Sequence, residues 1–228
     1  WPDVERDAAR REFGISAAAR VVVWHGRVDY HRKGLDVLLY AWQQVCRARP
    51  RRDLRLILVG SGNNAKELRE RIAAERPPGV RWVDEYINDR ALLRRYLAAA
   101  DIYVFPSRHE GFPVAPIEAM ACGLPLVAAD APGVSEILEE GEASGGIIVP
   151  RGDAQSLATA LNRLLDDETL SRELGRRARV RIEKNFSLET VGEQLRDFLT
   201  TRGGRAAALE KRGRDRTRRE EATKRQFT

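Results

Sequence analysis

Cysteine is nearly absent: Cys46 and Cys122 are the only two in 228 residues. No second Cys or His lies near either at metal-ligand spacing, and both fall in apolar helical stretches, so they read as ordinary buried thiols. Long apolar runs are missing too. No stretch of about 18 apolar residues could cross a bilayer. The N-terminus, Trp1-Pro2-Asp3, carries neither a signal peptide nor a transit pattern, which leaves the cytosol as the default compartment. An initiator Met is lacking, so the sequence reads as a piece of something longer. A surplus of charge is also lacking where folding would need it. The net charge is +6, but residues 201–228 hold ten Lys/Arg against four Asp/Glu, which leaves thirty of each sign in residues 1–200. The basic character therefore belongs to a tail, and a basic nucleic-acid-binding face is excluded.

What is present is a repeated alternation of short apolar runs and helical patterns. Val21 to Trp24 reads as a buried strand, and Leu35, Leu38, Leu39, Trp42 and Val45 follow at helical spacing. Leu54–Val59 is a second strand, ended by Gly60-Ser61-Gly62, and residues 65–76 form a charged helix with Leu68 and Ile72 on one side. Val80–Val83 and Ile102–Phe105 are further strands, with a helix striped by Leu92, Leu93, Tyr96 and Leu97 between them. Leu126–Ala128 and Ile147–Val149 complete six. Asp153 and Ser187 stand where they can cap the last two helices. Apolar strands joined by helical crossovers require a parallel sheet covered on both faces. The expected fold is doubly wound α/β, Rossmann-like, with a six-stranded parallel sheet and a C-terminal helix. Ligands of such sheets sit beyond the carboxyl ends of the strands, so chemistry is sought in the loops starting at Gly26, Gly60, Asp84 and Pro106.

The most informative stretch runs from Ser107 to Glu118. Two carboxylates, Glu110 and Glu118, stand eight positions apart around a nearly uncharged turn between a strand and a helix. The first turn of that helix offers unpaired N–H groups and a positive dipole end, which suit a phosphate. With the helix starting near Pro113, Glu118 lies roughly 7 Å further along at about 1.5 Å per residue. A diphosphate carrying a hydroxyl-bearing ring on each side would meet one carboxylate at each end, which describes a nucleotide sugar.

Glu110-Gly111-Phe112-Pro113 with Glu118 resembles the glutamate, seven residues, glutamate signature of retaining GT-B glycosyltransferases of the family-4, glycogen-synthase-like group. The continuation Glu118 to Ala128 is similar to that family's. Gly26-Arg27 through Lys33-Gly34 resembles the segment that follows the first strand of its donor-binding domain. The resemblance covers about residues 15–200 and implies one half of a GT-B fold. It implies that Glu110, the catalytic candidate, contacts the donor sugar and that Glu118 holds the ribose. Backbone of Gly111, Phe112, Pro113 and Val114 would lie against the sugar and diphosphate. Arg27 and Lys33 would grip the phosphates, with Gly60 in a glycine turn nearby. Pro113 departs from the Gly common at that position. The chain has no Asp-x-Asp pair, in keeping with a metal-independent reaction that needs no cofactor besides the nucleotide sugar.

Blander readings stand beside these. His109 next to Glu110 fails the His-Glu-x-x-His zinc spacing because position 113 is Pro. His25 and His31 read as structural or exposed. Gly60 alone could be only a tight turn. The expected organisation is a lead-in over 1–20 from an absent N-terminal acceptor domain, a nucleotide-sugar-binding domain over 21–200, and a basic tail over 201–228. That tail is expected to be disordered, packed on the absent domain, or attached to an anionic membrane surface, making the protein cytoplasmic or peripheral. The expected function is donor binding for a retaining glycosyltransferase, this chain alone being inactive; the alternative is a stand-alone sugar-nucleotide-binding module or subunit.

Overall fold

A computed structural model describes residues 3–200. Six parallel strands form one sheet: β1 (Arg20–His25), β2 (Leu54–Val59), β3 (Val80–Val83), β4 (Ile102–Phe105), β5 (Leu126–Ala129) and β6 (Gly146–Val149). Their order is β3-β2-β1-β4-β5-β6, with β1 pairing β2 on one side and β4 on the other. The doubly wound α/β fold read from the alternation is thus the one formed. The strands are short and β-branched or aliphatic, as strands buried on both faces must be.

Helix α1 (Asp3–Glu12) precedes β1, and α2 (Leu35–Ala48), α3 (Ala65–Glu75) and α4 (Arg90–Ala98) lie in the crossovers from β1 to β4. Then come α5 (Val114–Ala121), the short α6 (Val134–Ile137), α7 (Ala154–Asp166), α8 (Glu168–Asn185) and α9 (Leu188–Thr200). Val22, Trp24, Leu56, Leu58, Ile102 and Val104 point to one face and pack with buried Leu38, Trp42, Leu161 and Leu164 of α2 and α7. By the strand period of two, Val21, Val23 and His25 point to the opposite face. The chain divides into two units, Trp1–Glu183 and Lys184–Thr228. The first contains the whole sheet; in the second, Ser187 caps α9 by accepting from the Thr190 N–H at 3.1 Å.

The N-terminal ends of β1 and β4 are locked together by charge. Asp101, just before β4, accepts from the Val21 N–H at 2.7 Å and from Arg10 of α1 at 2.9 Å, and Arg6 also bonds to it. Arg10 is buried and also donates to the carbonyls of Ala99 and Ala19, both at 3.0 Å. Burial holds its guanidinium below the ordinary arginine value, with the Asp101 charge opposing. Phe13, just after α1, stacks on Tyr96 with ring centroids 4.3 Å apart. α1 and α8 were not among the expected helices. Cys46 and Cys122 are half-buried rather than fully buried, and burial raises the Cys46 thiol to about 11. No helix among the described residues is long and apolar enough to cross a membrane. The basic tail at 201–228 lies outside the described residues.

Candidate functional site

The strand order reverses between β1 and β4, and the loops leaving those two strands frame a crevice, as expected at a topological switch point. β1 ends in His25 and continues through Gly26 and Arg27 to a turn at 29–34; β4 ends in Phe105 and continues through Pro106 toward α5. The two loops are bound to each other. Gly34 has φ +65°, and a Cβ there would stand 2.0 Å from the Pro106 carbonyl oxygen, so only glycine allows this approach. The Arg108 N–H donates to the Arg32 carbonyl at 2.9 Å. The Arg108 guanidinium forks onto both Asp36 oxygens at 2.7 and 2.8 Å, and so anchors the β4 loop to the first turn of α2.

On this frame sit the sequence candidates. Lys33 donates from Nζ to Glu110 Oε1 at 2.6 Å, and the two side chains are only 16% and 8% exposed. Lys33 and Glu110, chosen separately from the sequence, are therefore a bonded pair. Glu118, in the second turn of α5, is bonded elsewhere: its Oε2 lies 3.0 Å from His25 Nε2, and its Oε1 lies 3.9 Å from Arg90 of α4. The His25 hydrogen bond is the main cause holding the Glu118 carboxyl below the ordinary glutamate range; burial opposes it, and the His25 and Arg90 charges add to it. A cleft of about 470 Å³ is lined by Arg27, Gly60, Tyr86, Arg90, Val114 and Glu118 among others.

The remaining candidates take distinct places. Arg27 is exposed and has no hydrogen bond or ion pair with any described residue, so its charge is available to an anion in the cleft. It does not pair up with Lys33, whose charge Glu110 takes. Gly60 has φ +132°, and a Cβ on it would meet the Gly26 carbonyl oxygen at 2.0 Å. Its carbonyl accepts from Trp82 Nε1 at 2.9 Å, so close packing of the β1 and β2 turns accounts for a glycine there, while its backbone still lines the cleft. A Cβ on Gly111 would meet nothing within 4 Å, and Phe112 and Val114 are largely exposed. Pro113 occupies the N-cap of α5 without a capping side chain, which leaves the first-turn N–H groups of α5 uncapped by a side chain.

Sequence reasoning missed His25, Arg90, Tyr86 and the Arg108–Asp36 clamp. Arg90 did carry a signal: a cation in the first helical turn opposes the helix dipole and implies a negative neighbour. His25 carried none, since its partner lies 93 positions away. Tyr103, on β4, donates to the His25 carbonyl at 3.3 Å; burial, with the charges of Glu118 and Glu110, pushes its hydroxyl far above the ordinary tyrosine value.

A family model described as glycosyl transferases group 1 matches residues 19–167. Over 204 residues the chain is 32% identical to the GDP-mannose-dependent monoacylated alpha-(1-6)-phosphatidylinositol monomannoside mannosyltransferase of Corynebacterium glutamicum, covering 86% of this chain and 51% of that protein. It is 30% identical over 194 residues to the lipopolysaccharide core biosynthesis mannosyltransferase LpsB of Rhizobium meliloti, covering 82% and 53%. Among solved structures it is similar to Anabaena HepE in complex with UDP, with a TM-score of 0.75, 26% identity, and coverage of 88% of this chain and 53% of that one. HepE has also been solved in complex with UDP-glucose. The chain spans about half the length of the curated relatives it matches, corresponding to their C-terminal half.

Proposed function

The chain belongs to the glycosyl transferases group 1 family, and from that premise we propose that it is the donor-binding half of a retaining, metal-independent glycosyltransferase of the family-4 kind. The observation that carries the reading is the arrangement around α5. The N-terminus of α5, uncapped by a side chain, lies in sequence between Glu110, which is bonded to Lys33, and Glu118, which lines the cleft together with Val114.

In this reading the nucleoside lies in the cleft, with a ribose hydroxyl donating to Glu118. The diphosphate lies against the first-turn N–H groups of α5 and the free Arg27 charge. Lys33 spends one of its three N–H donors on Glu110 and keeps two for phosphate oxygens. Glu110 then faces the sugar. As the bond from the anomeric carbon to the diphosphate oxygen breaks, positive charge grows on the sugar and negative charge on the leaving group. The Glu110 carboxylate stabilises the first, and Arg27, Lys33 and the helix end stabilise the second. The acceptor oxygen bonds to the anomeric carbon on the face the diphosphate leaves, and its proton passes to a diphosphate oxygen. The cations offered to the diphosphate in this reading are the side chains of Arg27 and Lys33. The acceptor would be presented by a further domain of the whole protein. The basic 201–228 segment would meet that domain or an anionic membrane surface.

Calorimetric titration of UDP, GDP and ADP in the presence of a chelator tests this reading. At least one should bind with modest affinity, since half of a closed cleft is missing. No heat from any of the three would refute it.

A further inference from the structure

His25 is the one buried histidine of three, and nothing in the sequence motifs gives it a task. It is the last residue of β1, with its carbonyl held by Tyr103 and its ring 5.3 Å from the Tyr103 ring, so it is fixed in place. A carboxylate can only accept, so the 3.0 Å contact with Glu118 requires the hydrogen on Nε2. The other ring nitrogen, Nδ1, is buried with no partner.

We propose that His25 is a positioning residue for nucleotide binding: its Nε2–H holds one oxygen of Glu118, presents the other to the ligand, and keeps binding effective in acid. This rests on the reading of Glu118 as the ribose contact. The groups that face the pair are few. Arg90 reaches Glu118 from α4 but is 92% exposed, so solvent screens it. Tyr103 from β4 keeps its hydrogen, for the reasons given above. Tyr86 from the loop after β3 and Arg27 beyond β1 line the same cleft, Val59 of β2 is apolar, and Glu110 is already paired with Lys33. His25 is therefore the buried donor that decides the state of Glu118. The depressed carboxyl of Glu118, with the His25 hydrogen bond as its largest cause, agrees with this geometry.

The sign follows directly. A carboxylate held low stays an acceptor as pH falls through the ordinary glutamate range, whereas one deprived of its donor and left half-buried takes up a proton there and loses the ribose hydrogen bond. UDP, GDP and ADP are titrated into the wild-type chain and into His25→Gln and His25→Phe at about pH 7.5 and about pH 5. Gln restores an N–H donor and should bind within roughly threefold of wild type at both pH values, whereas Phe should lose roughly tenfold at the lower pH and less at the higher. A Phe deficit identical at both pH values, or a Gln variant no better than Phe, overturns the proposal. Should His25→Phe not fold, NMR titration of the Glu118 carboxyl in the wild type decides instead: a midpoint at or above the ordinary glutamate value overturns it. Glu118→Ala separates the two levels. If it binds all three nucleotides as the wild type does, the ribose reading itself fails; if it is weakened while His25→Phe is unaffected at both pH values, only the role of His25 fails.

Discussion

Arg108 and Asp36 show how a single pair fixes the site without touching a ligand. Arg108 lies two positions before Glu110, and its fork onto Asp36 sets where the loop carrying Glu110 can go. Burial alone would raise the Asp36 carboxyl, but the Arg108 hydrogen bonds and charge outweigh it, and the group ends below its ordinary value of 3.8. Because the folded value is the depressed one, the stabilisation is complete above the unfolded value and is lost as pH falls through the folded one. Asp36→Asn should therefore destabilise the chain at about pH 6 and much less at about pH 2.5, read by urea unfolding. An equal deficit at both would show that the carboxylate charge is not what holds the loop. The motifs point to Glu110, Glu118, Arg27 and Lys33 one at a time. They do not point to the partners: Lys33 with Glu110 and His25 with Glu118 are contacts over 77 and 93 positions, which only the topology creates.

At the level of elements, apolar periodicity gave up the strands and the helices that cover them, because those segments are buried and their pattern is not diluted by charge. α1 and α8 escaped for the opposite reason. The sequence of α8 is dominated by Arg and Glu, and its buried positions Leu174, Ala178 and Ile182 are sparse, although their spacing of four is helical. α1 is tied on largely by ion pairs, which have no sequence period. That charge cluster makes a strong demand. Asp101→Ala would strip the buried Arg10 of its carboxylate and the Val21 N–H of its acceptor, at a cost of about 3–5 kcal/mol. Denaturant unfolding of this variant should show that loss. A change below about 1 kcal/mol would mean that solvent already satisfies Arg10.

At the scale of the molecule, one reversal of strand order places everything. It opens the crevice between β1 and β4, brings Arg27 and His25 from one strand end opposite Glu118 beyond the other, and leaves the N-terminal ends of the same strands free to be locked by Asp101. The structural neighbours are GT-B glycosyltransferases, and this domain is one half of that fold. In the function proposed above, the crevice is one wall of a cleft closed by a further domain.

The central claim is that the donor lies along α5 with its nucleoside at Glu118 and its sugar at Glu110, and a pair of titrations tests it most directly. Glu110→Ala and Glu118→Ala, each first shown by melting to be folded, are titrated with a nucleoside diphosphate and with its sugar conjugate. Glu118→Ala should weaken both ligands about equally, by roughly 1–3 kcal/mol for a charge-assisted hydrogen bond. Glu110→Ala should leave the bare diphosphate nearly untouched and weaken the conjugate. If instead Glu110→Ala abolishes diphosphate binding while Glu118→Ala changes nothing, the two roles are reversed and the donor lies the other way along the helix.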